Sequence, residues 1–323
     1  MLLGNKVTVF GGTGFVGKAV VNELSKAGYE IKVVVRRSER FREFLLYPNT
    51  TLHTLESYEN AEQLNAAVSG ADIVVNLTTD RSTGTEMVEQ NKLASITQKM
   101  KPAIESAGVK RVLSLSQIGA NNDAPNSDWF GLLGEVDNLM HNIANAAVTI
   151  FKPSLLIGAE DDTTARFIKQ LNRIDLLMVA NSGTVVQPLW VKDFAQAMVS
   201  TIKEEATFGH KLEMAGEERL TLKELGELVA ELMQKDAIVF PMCKLNAKIM
   251  AALGGFAPVA SVSKSQLLML PHDMISESDF SSQFGFAPSS LEWVISTYAT
   301  PHDIRERYNF YRKEAGRDAK ELA

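Results

Sequence analysis

Gly12, Gly14 and Gly17, in the stretch "VTVFGGTGFVGKAVV", carry the spacing G-x-G-x-x-G, and Gly11, Gly14 and Gly17 also satisfy G-x-x-G-x-x-G. The residues before them read as a β-strand and those after them as a helix. A turn of this kind brings bare backbone close to an anion, and the unpaired N–H groups and dipole of the following helix hold it. Its chemistry is the binding of a pyrophosphate, with Thr13, Phe15 and Val16 completing the loop. Alone the pattern is weak, and a glycine-rich turn with no ligand is the competing reading. Directly after a first strand, inside a βαβ unit, it specifies a dinucleotide.

The end of the second strand should carry the group that reads the adenosine ribose, an acid for a free 2′-hydroxyl or a basic group for a 2′-phosphate. Here the strand ends "VVVRRSER", with Arg36 nineteen residues after Gly17, Arg37 beside it and no acid before Glu39. A planar guanidinium matches a phosphate bidentately, whereas an acid would repel it. The dinucleotide expected is therefore NADP(H) in preference to NAD(H). The competing reading is a solvated basic turn.

These residues need a scaffold, and the pattern of apolar runs describes one. Strand-length runs at "KVTVFGG", "EIKVVVRR", "TTLHTLE", "DIVVNLTT", "KRVLSLSQIGAN" and "VTIFKPSLLIG" alternate with helical stretches, including "TEMVEQNKLASITQKMKPAIESAG" and "SDWFGLLGEVDNLMHNIANA". The first helix reads as "KAVVNELSKAG", from Lys18. This is the order of an α/β protein with a doubly wound parallel sheet, a Rossmann fold. Residues 1–160 are assigned to that dinucleotide-binding domain. Residues 161–300 form a smaller, mostly helical C-terminal lobe for a substrate or partner, with segments returning to the sheet, and 301–323 a charged helix or tail.

The whole chain is 323 residues, 45% hydrophobic and 22% charged, as for soluble globular proteins. Its net charge of −6, from 33 basic and 39 acidic side chains, gives no attraction to a phosphate backbone, so nucleic acid is excluded as an expected partner. Cys243 is the single cysteine, so no internal disulfide forms. The N-terminus enters a strand within a few residues, leaving no room for a signal peptide, and no run approaches the ~20 apolar residues of a membrane span. A cytoplasmic location is expected, peripheral to the inner face of a membrane if the apolar stretch 240–258 or the C-terminal tail docks there. Met242, Leu245, Ile249, Met250 and Leu253 give that stretch a helical apolar stripe, which fits the core of the small lobe or a surface for a protein partner.

With "GGTGFVG", "VVVRR", "DIVVNL", "EQNKLA", "VLSLSQIGAN", "FKPSLLIG" and "QPLWVKDFAQA" in this order, the chain resembles the extended, atypical short-chain dehydrogenase/reductases. Within them it is similar to the branch containing the NADPH-binding accessory subunit of respiratory complex I and its bacterial relatives. The resemblance implies that Asn76, Leu77 and Thr78 pass close to the cofactor. Asn91 would lie on the helix flanking the site, and Pro153 and Ser154 near the nicotinamide. Active members use a Tyr-x-x-x-Lys pair, tyrosine as general acid/base and lysine lowering its pKa. The resemblance puts Trp129 and Leu133 at those positions and Ser116, or in another register Ile118, at the third, serine position.

An indole does not titrate near neutral pH and leucine offers neither charge nor hydrogen bond, so neither replaces its counterpart. A placed acid/base is worth about 10² to 10⁴ in rate. Ser116 alone is a poor acid. Glu56 or Ser57 stands where many relatives place an aspartate for the adenine.

The five histidines are scattered without metal-ligand spacing, so no metal is expected. The acidic turn Glu160, Asp161 and Asp162 reads more readily as a solvated turn than as an acid/base pair. These readings favour an NADP(H)-binding protein that lacks the Tyr-x-x-x-Lys pair and uses the dinucleotide for structure, sensing or assembly. The alternative is an NADP-dependent oxidoreductase or isomerase on a small, apolar substrate with a non-standard proton donor.

Overall fold

The computed structural model describes residues 3–81, 89–121, 123, 128–242, 267 and 271–299. The chain divides into two units, Met1–Leu156 with Val186–Arg219 and His272–Pro288, and Ile157–Val185 with Leu220–Pro271 and Ser289–Ala323.

The first unit is built on a seven-stranded sheet. Strands β1 (Lys6–Phe10), β2 (Glu30–Val35), β3 (Thr50–Thr54), β4 (Ile73–Asn76), β5 (Arg111–Leu115) and β6 (Ala147–Pro153) are joined by a seventh, Lys211–Met214. Their spatial order is β3-β2-β1-β4-β5-β6 and then Lys211–Met214, and each neighbouring pair is parallel. β4 and β5 are buried along their whole length, which is why these strands read as unbroken apolar runs rather than alternating ones.

Helices α1 (Phe15–Lys26) and α6 (Val191–Ser200) cover one face, packing Val20, Val21, Leu24, Phe194 and Met198 against Val9, Val33 and Leu113. Helices α2 (Ala61–Val68), α3 (Leu93–Ser106) and α4 (Asp128–His141) cover the other with Leu64, Met100, Ile104 and Met140 against Val74, Val112 and Ile150. The chain winds outward from β1 to β3, then crosses back to β4 on the other side of β1. This places a topological switch between β1 and β4, where such sheets bind ligands at the carboxyl ends of the strands.

Two boundaries differ from the sequence reading. α1 begins at Phe15 rather than Lys18, because Gly14 acts as its N-cap and the chain turns helical at once. α3 begins at Leu93 after a 3₁₀ turn, Gln90–Lys92, while residues 85–88 of the expected helix lie outside the described residues.

The second unit holds α5 (Thr164–Leu171), α7 (Leu222–Leu232), the helix Leu291–Ala299 and a parallel strand pair, Leu176–Ala180 with Ile238–Met242, registered Leu176 to Ile238. The pair was not legible in the sequence, because a five-residue apolar run has too few turns for its period to separate strand from helix. Met242 accordingly ends a strand instead of starting a helical stripe. The rest of the stripe and the charged tail, 301–323, lie outside the described residues. α7 starts with a capping box, the Thr221 hydroxyl accepting from Glu224 N–H and the Glu224 carboxylate accepting from Thr221 N–H. Gly226 brings α7 close to the pair, since a Cβ there would stand 2.9 Å from Leu177 Cδ2.

Candidate functional site

The glycine turn joins the end of β1 to the start of α1. Gly11 has φ +75°, and a Cβ there would lie 2.6 Å from the Leu77 carbonyl oxygen. At Gly17 it would lie 2.4 Å from the Gly11 carbonyl oxygen and 2.5 Å from the Gly12 backbone. Gly11 therefore permits the turn and the approach to the loop after β4, while Gly17 lets α1 close on the turn. Gly12 faces the sheet, where a Cβ would meet Val33 Cγ1 at 2.8 Å. Gly14 offers no side chain to cap α1, so the N–H groups of the first turn must find other acceptors. Among them, Val16 N–H donates to Asp80 Oδ2 at 3.2 Å.

Arg36 and Arg37 leave the end of β2 and are exposed. Arg36 borders a pocket of about 170 Å³ whose other walls include Glu56, Ser57 and Tyr58 after β3 and Ile96 on α3. Tyr58 is set by its ring contact with Phe10, 6.2 Å between centroids. Arg36 and the Glu56–Ser57 position thus share one hollow, which Glu59, Glu89 and Lys92 also line, while Arg37 does not reach it.

Asn76 ends β4 fully buried. Its amide donates to Ser114 Oγ at 3.2 Å, and its carbonyl accepts from the Thr78 N–H at 3.2 Å and hydroxyl at 2.7 Å. Leu77 is buried against Gly11, so Asn76, Leu77 and Thr78 form a rigid loop beside the glycine turn. Asn91 lies exposed in the 3₁₀ turn before α3, not on the helix itself. Pro153 ends β6 and its carbonyl accepts from Ile118 N–H at 3.1 Å. Ser154 is buried, its hydroxyl donating to Met274 O at 2.6 Å and accepting from Gln187 N–H at 3.0 Å.

Trp129 and Leu133, one turn apart on α4, are each 1% exposed. The Trp129 indole N–H donates to Gln117 Oε1 at 3.1 Å, and the buried Arg81 guanidinium lies 5.2 Å from the ring centre. Burial lowers the Arg81 pKa, with the charge of Asp80 opposing the shift.

One turn further along α4 stands Asp137, which the sequence reading did not single out. It is fully buried, accepts from the Ser116 hydroxyl at 2.9 Å, and has Lys152 Nζ at 3.6 Å. Lys152 also donates to Ala120 O at 2.9 Å. Loss of water pushes the Asp137 carboxyl up to about 6, against the Ser116 hydrogen bond and the charges of Lys152 and Lys211, which pull it down. Its Oδ1 has no hydrogen-bond partner among the described residues. The available signal was a lone acid on a helix stripe otherwise made of Phe130, Leu133, Val136 and Met140.

Within the acidic turn Glu160 is exposed and Asp162 half-buried, but Asp161 departs from the solvated turn expected. Asp161 is buried and caps α5, accepting from the N–H groups of Gly158, Thr163 and Ala165 and from the Thr164 hydroxyl. Thr164 in turn contacts the Tyr298 hydroxyl at 2.8 Å, and Asp162 pairs with Arg166. These are structural ties within the second unit. Among the described residues, no group of three His, Cys, Asp or Glu side chains is placed to hold a metal ion.

Residues 11–152 match a family model described as NAD(P)H-binding. The chain is similar to the mitochondrial NADH dehydrogenase [ubiquinone] 1 alpha subcomplex subunit 9 of Arabidopsis thaliana, 25% identical over 74% of this chain and 62% of that one. The mouse protein of the same name is 23% identical over 88% of this chain and 77% of its own length. The match thus spans less than two thirds of the plant subunit. In structure, the chain superposes on the NADPH-dependent quinone oxidoreductase of Escherichia coli complexed with NADPH, with TM-score 0.70 at 16% identity over 90% of this chain and 99% of that one. It also superposes on the triphenylmethane reductase of Citrobacter sp. complexed with NADP(H), with TM-score 0.72 at 15% identity over 90% and 99%. The chain thus has a Rossmann-type fold, is similar over residues 11–152 to an NAD(P)H-binding family, and is similar in sequence to this complex I subunit.

Proposed function

We propose that this chain binds NADP(H) between the glycine turn and the pocket beside Arg36, and keeps the dinucleotide for structure, sensing or assembly. The observation that carries the reading is the contrast between the two ends of the site. At one end, backbone crowding at Gly11 and Gly17 excludes any side chain from a turn that opens a helix. At the other, the positions read as tyrosine and lysine hold Trp129 and Leu133, packed to 1% exposure.

Apart from the Asp80 carboxylate, which accepts from Val16 N–H, the residues present fit the cofactor. The first-turn N–H groups of α1 take the pyrophosphate, Arg36 and Arg37 take the 2′-phosphate, and Ser57, Tyr58 and Ile96 border the adenine. A bound nicotinamide supplies hydride chemistry in principle, yet no titrating group stands at positions 129 and 133. A ligand that binds only the folded chain still adds stability by mass action. The relatives are named as mitochondrial NADH dehydrogenase subunits, which supports a protein partner.

A second reading has one observation in its favour, the Ser116–Asp137 hydrogen bond backed by Lys152. Here the serine hydroxyl would protonate a small carbonyl substrate and be resupplied from the protonated carboxyl, making the chain an NADP-dependent oxidoreductase. Titration with NADPH and NADH, followed by nicotinamide fluorescence and thermal stability with Gly14→Asp as control, tests the first reading. Tight NADPH binding lost in the variant is expected. Binding of neither cofactor sinks both readings, and stereospecific turnover by the unmodified protein favours the second.

A further inference from the structure

The loop after β4 delivers a carboxylate to the place where the pyrophosphate has to sit. Val16 is the second residue of α1, so its N–H is one of the few helix donors free to hold an anion. Asp80 Oδ2 already accepts from it at 3.2 Å, and Asp80 is only 8% exposed. The carboxylate is held in place from its own loop. Asp80 N–H donates to Leu77 O at 3.1 Å, and the Thr79 hydroxyl donates to Leu115 O at 2.7 Å. Leu77 is pressed against Gly11, so the two loops meet with no slack.

We infer that Asp80 is a built-in competitor of the dinucleotide, occupying the N-terminus of α1 until the pyrophosphate displaces it. The inference rests on the reading of this turn as the dinucleotide site. A carboxylate at a helix N-terminus satisfies a donor and the helix dipole, so it stabilises the chain without cofactor. Two anions cannot share one set of N–H groups in a buried turn without strong repulsion, so binding is paired with departure of Asp80. Arg81 is the next residue, and its guanidinium both feels the Asp80 charge and lies against Trp129. Displacing Asp80 therefore disturbs the Arg81–Trp129 contact. The cofactor-free and cofactor-bound chains then differ in named contacts, which is what a sensing role requires.

The test is Asp80→Asn in the full chain, which keeps the shape and a hydrogen-bond acceptor and removes the charge, with Asp80→Ala as a second variant that removes both. Each is titrated with NADPH and with inorganic pyrophosphate, and thermal midpoints are recorded with and without NADPH. We expect both variants to bind NADPH about tenfold more tightly than the parent, the scale of one carboxylate at a helix N-terminus. Pyrophosphate should follow the same order. The cofactor-free midpoint should fall while the NADPH-induced rise grows. NADPH binding that is unchanged or weaker in both variants overturns the inference and leaves the dinucleotide site intact. If neither the parent nor the variants bind NADPH or NADH, the dinucleotide reading falls and the inference falls with it.

Discussion

Replacing Asp137 by asparagine should change the pH dependence of stability in a direction set by the burial of this residue. The carboxyl is fully buried, with Lys152 at 3.6 Å and Ser116 at 2.9 Å, and burial raises its pKa from 3.8 to about 6. A carboxyl with a raised folded-state pKa binds its proton more tightly folded than unfolded. Its contribution to stability is therefore complete below about pH 4 and lost as the pH rises through about 6. A displacement of this size corresponds to about 3 kcal/mol. The charges that face Asp137 are Lys152 and Lys211, and both act to reduce the loss.

Asparagine keeps the shape and the acceptor for the Ser116 hydroxyl but cannot ionise. The assay is denaturant unfolding of the parent and Asp137→Asn at a series of pH values. Other titrating groups cancel in the difference between the two proteins. The variant should gain about 3 kcal/mol relative to the parent between about pH 4 and about pH 7. A difference that does not change with pH would refute the reasoning, since it would mean that Lys152 and Ser116 fully offset the loss of water. A difference of the opposite sign would mean that the ion pair outweighs burial.

Gly17→Ala should destabilise the chain by about 1–3 kcal/mol and abolish NADPH binding, because its Cβ would stand 2.4 Å from the Gly11 carbonyl. Thermal unfolding and cofactor fluorescence check both effects. The pair Arg36→Ala and Arg37→Ala should weaken NADPH binding at least about tenfold and leave NADH binding nearly unchanged, as expected when a guanidinium is lost from a phosphate; equal losses for both cofactors would count against a 2′-phosphate site. Trp129→Tyr combined with Leu133→Lys places polar groups at two positions that are each 1% exposed. It should lower stability by about 2–4 kcal/mol, and a double variant as stable as its parent would show that these positions open to water.

The features legible in the amino-acid order are those that depend on neighbours along the chain. The glycine turn, the alternation of buried strands with helices, and the basic end of the second strand each need only a short window, because backbone freedom at glycine and the burial of parallel strands leave local marks. Helix ends and short strands were harder. Leu176–Ala180 and Ile238–Met242 are five residues each and pair across more than fifty positions, so nothing local distinguishes them from helical turns.

What the tertiary structure alone decided is which polar groups meet. Ser116 and Asp137 come together only because α4 packs across the end of β5, and Lys152 joins them from β6. Asp80 reaches Val16 only because the chain crosses back beside β1, bringing the loop after β4 against the glycine turn. Asp161 becomes a buried cap because the N–H groups that it accepts surround it at the start of α5. The physical reason is the same in each case. The apolar period of a segment specifies its own face, but the energy of a buried charge is set by the few groups that surround it, and those arrive from distant parts of the chain.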